Sequence, residues 1–273
     1  MSEKRVVVSL GNQELLQVVA DKFVARAGKI LRKTGQLRVV LTGGETQGRL
    51  LRAIATHESV GTVDWARATW VLGDERFVAH DSAERNVQMV WDSFLGAVGV
   101  TRKNVFSAPA VGDAGSVMEA AEGYRHRLLE LTCDWSGSDP LFDIALVGMG
   151  PDGHVLSVFP GSPAAAASEP GVLGVQDSPK PPTERVTLTL PLLNRTERVW
   201  IVTSGTEKAG AVGLAMAGAA VNEVPVAGVR GTRSTKVFID QALADRIPEE
   251  LIARQKVWTA ADERADYVPE ALR

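Results

Sequence analysis

Short β-branched runs alternate with stretches of helical period along most of this chain, and that alternation limits the folds open to it. Residues 5–10, 37–41, 68–72, 105–107, 144–147, 199–203 and 236–239 read as strands. Residues 12–33, 46–56, 84–95, 115–131 and 207–217 read as helices; in the first, Leu15, Val18, Val19, Phe23 and Ala27 repeat at helical spacing. Strands separated by helices are joined by crossovers, which builds a parallel sheet covered on both faces. The expected fold class is therefore α/β: a mostly parallel, open, Rossmann-like sheet flanked by helices on both faces. Residues 185–190 (R-V-T-L-T-L) alternate apolar and polar side chains instead, which suits an edge or antiparallel strand with one wet face. Residues 160–182 hold six of the 13 prolines. That stretch is too long for an ordinary connection. It is expected to be an irregular loop rimming a site, within a single α/β domain spanning residues 1–273.

The remaining composition narrows the function classes. Net charge is −3, with 45% hydrophobic and 23% charged residues. Such a chain is a globular protein with no general basic field for nucleic acid, so an anionic ligand needs a local cluster of cations. One cysteine, Cys133, excludes an internal disulfide and a cysteine-based metal cluster. It follows a helical stretch and is expected to be a buried or half-buried thiol. The histidines (His57, His80, His126, His154) have no metal-ligand spacing, so neither metal nor cofactor is expected. Residues 1–5 are polar and show no secretory signal. The small-residue run 209–221 is too short and too rich in Gly and Ala to span a bilayer. A cytoplasmic monomer without membrane partners is expected.

Four strand ends carry chemistry. The sharpest is residues 142–160, where the apolar run 144–147 meets Gly148, Gly150 and Gly153 in a turn presenting Asp152 and His154. In open α/β sheets the carboxyl edge is where ligands bind, and an imidazole there exchanges protons near neutral pH. A lone histidine is usually structural; an aspartate two residues earlier in a glycine turn raises the odds of catalysis. Thr42-Gly43-Gly44-Glu45-Thr46 runs from strand to helix. It is either an ordinary glycine turn or a place where backbone N–H groups meet an anion. Asp74, Glu75 and Arg76 form either a solvated, salt-bridged turn or a ligand contact, Arg76 having the planar fork that suits phosphate, carboxylate or oxyanion. Lys208 follows another strand and opens another helix, so it reaches a phosphate or is simply solvated. No G-x-S-x-G elbow is present. The residues together point to a phosphorylated small molecule held by a glycine loop and cations, with His154 acting on it.

In this order the motifs resemble the 6-phosphogluconolactonase family, in the wider group that includes glucosamine-6-phosphate deaminase. They are T-G-G at 42–44, D-E-R at 74–76, Asn86, G-M-G-P-D-G-H at 148–154, S-x-F-P-G at 157–161, R-x-T-L-T-L-P at 185–191 and S-G-x-x-K-A at 204–209. The resemblance implies hydrolysis of 6-phospho-D-glucono-1,5-lactone to 6-phosphogluconate in the oxidative pentose phosphate pathway, without cofactor or metal. It implies His154 as general base, Asp152 orienting the imidazole or touching substrate hydroxyls, and Arg76 stabilising the oxyanion or holding substrate. Gly43, Gly44, Thr46, Asp74, Arg185 and Lys208 would bind the substrate, chiefly its phosphate. Glu45 and Gln47 depart from the family's usual Ser and Pro, Val155 and Leu156 from its Thr and small residue, and Arg85 from its Ser. Deaminase relatives place glutamate five residues after the histidine and tyrosine after D-E. Here Phe159 and Arg76 stand there. A non-catalytic sugar-phosphate sensor would need a DNA-binding extension, and none is legible.

Overall fold

Each apolar run expected in the parallel sheet forms a strand, and their order sets where a ligand can sit. The computed structural model describes residues 4–252; the span 1–273 expected to be one domain thus reaches beyond the described residues at both ends. The strands are β1 (Lys4–Ser9), β2 (Leu37–Leu41), β3 (Ala68–Leu72), β4 (Asp74–Arg76), β5 (Val105–Phe106), β6 (Phe142–Val147), β7 (Val172–Val175), β8 (Arg185–Leu188), β9 (Thr196–Val202) and β10 (Ser234–Asp240). The helices are α1 (Asn12–Thr34), α2 (Glu45–Ala55), α3 (Asn86–Val90), α4 (Val117–Thr132), α5 (Leu190–Leu193), α6 (Ala209–Met216) and α7 (Gln241–Ala244). Seven strands pair in the order β1-β10-β9-β6-β2-β3-β5, all parallel.

Two cores lie against the two faces of this sheet, and strand alternation assigns residues to them. Val39, Leu41, Trp70, Leu72, Ile144 and Leu146 pack with Leu15, Val19 and Phe23 of α1 and Leu50 of α2. Their neighbours Val40, Val71, Ala145 and Val147 pack with Ala121, Tyr124 and Leu128 of α4 and Val212 of α6. A strand buried on both sides reads as an unbroken apolar run, which is the pattern these segments carry. The helix ends follow local rules. Gly35 closes α1 at φ 79°, its N–H donating to the Leu31 carbonyl. Ser116 caps α4 by accepting from the Glu119 N–H at 3.2 Å, while Glu119 reaches back to the Gly115 N–H at 2.8 Å.

Four expectations are corrected. Residues 160–182 are not wholly irregular, because β7 lies among them and pairs antiparallel with β8, which pairs antiparallel with β4 in a small second sheet. As the central strand of that sheet, β8 has no wet face. All four of its residues are buried, and the Thr187 hydroxyl spends its proton on the Leu188 carbonyl at 3.0 Å. The helix expected over 84–95 starts at Asn86 and widens into an i→i+5 turn over Trp91–Leu95. Cys133 is exposed at the end of α4 with φ 63°, rather than buried.

Candidate active site

The sheet reverses its winding between β2 and β6. From β2 the chain moves to β3 on one side, and from β6 it moves to β9 on the other. The loops beyond the two carboxyl ends therefore diverge and leave a crevice, the usual ligand position in such sheets. A cleft of about 280 Å³ occupies it, with Gly43, Gly44, Thr46, Asp74, Arg76, His154, Arg185 and Lys208 among its lining. Eight of the nine residues singled out from the sequence thus line one cleft. Asp152, the ninth, meets the cleft through His154. The two loops are joined where the Gly148 N–H donates to the Thr42 hydroxyl at 3.1 Å.

The histidine turn is held by its backbone. Gly150 N–H donates to the His154 carbonyl and Gly153 N–H to the Gly150 carbonyl, both at 3.0 Å, with Gly153 at φ 79°. Gly150 is required for space: a Cβ there would fall on the His154 ring and the Asp152 carboxylate. His154 Nδ1 lies 2.5 Å from Asp152 Oδ1, which places the proton on Nδ1. Nε2 has no protein partner among the described residues and is the basic nitrogen. The ring of buried Phe159 stacks on the imidazole at 4.6 Å between centroids. Burial pushes the imidazole pKa down more than the Asp152 hydrogen bond and charge push it up, so His154 titrates below its ordinary value and is neutral at pH 7. For Asp152, burial pushes the pKa up. The hydrogen bond and charge of His154 and the Lys180 ammonium outweigh it and hold the carboxylate below its usual range.

A third member of this group, Lys180, escaped the sequence reading. Its Nζ stands 3.4 Å from Asp152 Oδ2 and 3.3 Å from His154 Nδ1. Because the Nδ1 proton is shared with Asp152, the Lys180–His154 distance is proximity within a cluster centred on the carboxylate, not a second bond. Lys180 is brought there by Arg185, whose Nε donates to the Pro182 carbonyl (2.9 Å) and Nη2 to the carbonyls of Lys180 (3.0 Å) and Pro181 (3.1 Å). Arg185 therefore spends most of its fork on the loop, and its guanidinium also lies 5.7 Å from the Phe159 ring centroid. The one signal in the sequence was a lysine amid prolines, P-K-P-P at 179–182.

Opposite the imidazole, the D-E-R segment is β4, not a solvated turn. Asp74 is buried, accepting from the Ser157 hydroxyl at 2.8 Å and the Asn86 amide at 3.3 Å. Gly43 packs so closely on Asn86 that a Cβ there would overlap its amide. Arg76 donates through Nη1 to the Glu84 carbonyl at 2.7 Å, and its Nε is buried without a partner. Leu156, also on the cleft wall, is held at φ 56°, a conformation costing about 1–3 kcal/mol that recurs at functional sites. At the far end, Gly44 (φ 106°) precedes α2, and half-buried Lys208 faces it across the cleft. Burial lowers the Lys208 pKa against the raising charges of Glu207, Glu45 and Asp240. Glu45 lines the cleft as well. Among the described residues there is no cluster of three or more metal-ligating His, Cys, Asp or Glu side chains.

Comparison with known proteins accounts for this arrangement. The family model described as glucosamine-6-phosphate isomerases/6-phosphogluconolactonase matches residues 11–239. A 6-phosphogluconolactonase of Streptomyces coelicolor is 35% identical over 250 residues, covering 90% of this chain and 96% of its own length. One of Mycobacterium tuberculosis is 36% identical over 235 residues, covering 86% and 94%. The crystal structure of the Thermotoga maritima 6-phosphogluconolactonase superposes with a TM-score of 0.74 at 25% identity, covering 88% of this chain and all of that one. The switch-point crevice, its glycine loops and the extent of these matches lead to one assignment: this chain belongs to the glucosamine-6-phosphate isomerase/6-phosphogluconolactonase family.

Proposed function

We propose that the chain hydrolyses 6-phospho-D-glucono-1,5-lactone to 6-phospho-D-gluconate, with His154 as general base. The observation that carries this reading is the Asp152–His154 pair, which fixes the proton on Nδ1 and leaves Nε2 basic at the cleft. Nε2 takes a proton from water as its oxygen attacks the lactone carbonyl carbon. The carbonyl electron pair moves onto oxygen, and the Arg76 guanidinium faces that oxyanion. When the tetrahedral intermediate collapses, the bond from carbonyl carbon to ring oxygen breaks. The imidazolium returns its proton to that oxygen as it becomes a hydroxyl. A lactone is already an activated ester, so base and charge stabilisation suffice without a covalent nucleophile.

The substrate phosphate lies at the Gly43-Gly44 end, where the backbone N–H groups opening α2, Thr46 and Lys208 converge. Arg185 adds positive charge and sets the loop carrying Lys180. Asp74, held by the Ser157 hydroxyl and the Asn86 amide, accepts from sugar hydroxyls. We propose further that the chain acts as a monomer in the cytoplasm, with a single domain around the cleft. No helix among the described residues is long and apolar enough to cross a membrane. An isomerase–deaminase reaction is disfavoured because the position taken by a glutamate in that pattern holds Phe159, whose ring covers the imidazole.

The test is hydrolysis of freshly generated 6-phosphogluconolactone, with spontaneous opening subtracted. General-base catalysis is worth about 10²–10⁴-fold, so His154→Ala should lose that much kcat. Wild-type turnover that survives the substitution would remove His154 from its role. No wild-type turnover above background would overturn the reaction itself.

A further inference from the structure

Behind β4 and α3 lies a second cavity of about 320 Å³, slightly larger than the catalytic cleft, and the proposed reaction makes no use of it. Its walls carry Arg85, Arg102, Arg127 and His80 against a single carboxylate, Asp113, with Gln88 and Ser107 as further hydrogen-bonding groups. Asp113 is partly engaged, since it accepts from the Ala110 N–H at 3.1 Å.

Arg85 is the unusual member. It is 3% exposed, and only its Nη2 has an acceptor, the Ala108 carbonyl at 2.6 Å. Nε lies 3.5 Å from Glu75 Oε2, outside good hydrogen-bond geometry, and Nε and Nη1 are both buried without a partner. Glu75 is already committed to three backbone N–H groups, those of Arg76, Asn86 and Val87, at 2.6–2.9 Å. A buried guanidinium with unmet donors is costly unless something supplies acceptors.

The other two arginines are held ready. Arg102 stands 4.0 Å over the Trp91 ring and Arg127 5.0 Å over Phe106, and Arg127 also donates to the Val105 carbonyl at 3.4 Å. Neither forms an ion pair among the described residues. Guanidinium groups fixed on aromatic faces lose little freedom when they take up an anion, and their forks match phosphate oxygens. We propose that this cavity is a second binding site, for a small phosphorylated anion held by Arg85, Arg102 and Arg127. The site is separate from the cleft yet next to it in sequence: Arg85 precedes Asn86, whose amide holds Asp74.

The experiment is calorimetric titration of the full chain with pyrophosphate at low ionic strength, in wild type and two variants, with melting temperatures read also on the variant that combines all three substitutions. Lys208→Ala weakens the catalytic cleft; the double variant Arg102→Gln/Arg127→Gln weakens the second cavity; wild type has both. Arg102 and Arg127 are exposed, so the double variant should fold, with an unchanged melting temperature and unchanged lactone turnover in the absence of added anion. The expected result is a binding event that persists in Lys208→Ala and weakens at least tenfold in the double variant. The rise in melting temperature that pyrophosphate gives Lys208→Ala should also vanish when all three substitutions are combined. Binding to the double variant as tight and as stoichiometric as to wild type would overturn the proposal, as would loss of all binding in Lys208→Ala.

Discussion

Lys180 sits against the proposed acid–base pair, where its charge bears on the imidazole. Catalysis needs His154 unprotonated, and burial has set its pKa below the ordinary 6.5, so turnover should hold at neutral pH and fall only as pH drops through that lowered value. The Lys180 charge acts in the same direction, because a nearby cation disfavours the imidazolium. Lys180→Met should therefore move the acidic limb of the kcat profile to higher pH. A limb that stays put or moves down would remove Lys180 from this role. Gly150 tests the same pair sterically. Its φ is not in the left-handed region, so Gly150→Ala adds only a methyl group, which lands on the His154 ring and the Asp152 carboxylate. Displacing a catalytic group by about 1 Å can cost about 10²-fold. We expect a loss of that order in kcat with a nearly unchanged melting temperature. His154, Asp152 and the glycines were legible because a strand, a glycine turn and a titratable pair are contiguous. Lys180 was not, because its place depends on Arg185 at the start of β8, whose side chain clasps the carbonyls of residues 180–182 and draws that loop inward.

At the scale of elements, α2 shows a conflict between stability and binding. Glu45 lies in its first turn, where a carboxylate favours the helix by about 0.3–1 kcal/mol. Glu45 also lines the cleft, at the end proposed to take the substrate phosphate. Glu45→Gln should lower KM severalfold while costing a small fraction of the melting temperature. An increased KM in steady-state assays would show that Glu45 helps to hold substrate instead. The small sheet makes a different point. The alternation in 185–190 identified an antiparallel strand correctly, but Val186 and Leu188 pack in the core with α4 on one face and the Ser157 N–H meets the Thr187 hydroxyl on the other, so neither face stays wet. The three residues of β4 and the proline-flanked β7 carry too little pattern to announce themselves. Pairing with β8 makes them strands.

For the whole molecule, the two faces of the parallel sheet separate stability from chemistry. Phe23 of α1 is fully buried, 5.9 Å from Trp65 and 6.4 Å from Trp70 between ring centroids, in the core that does not contact the histidine turn. Phe23→Ala should cost about 3–5 kcal/mol in denaturant unfolding and leave kcat within about twofold below the transition. A comparable fall in kcat would show that this core also sets the cleft geometry. The sequence by itself determined the parallel α/β architecture, since strands buried on both faces must be written as apolar runs between helices. It also determined the Asp152–His154 pair proposed as catalytic, since the two are two residues apart in one turn. Tertiary structure alone decided the rest. The strand order places the reversal between β2 and β6, Arg185 clasps the loop that carries Lys180, and Lys180 and Phe159 are packed onto the imidazole. The strand order and the Lys180 contact join segments distant in the chain, and local propensity cannot encode a distance that only packing closes.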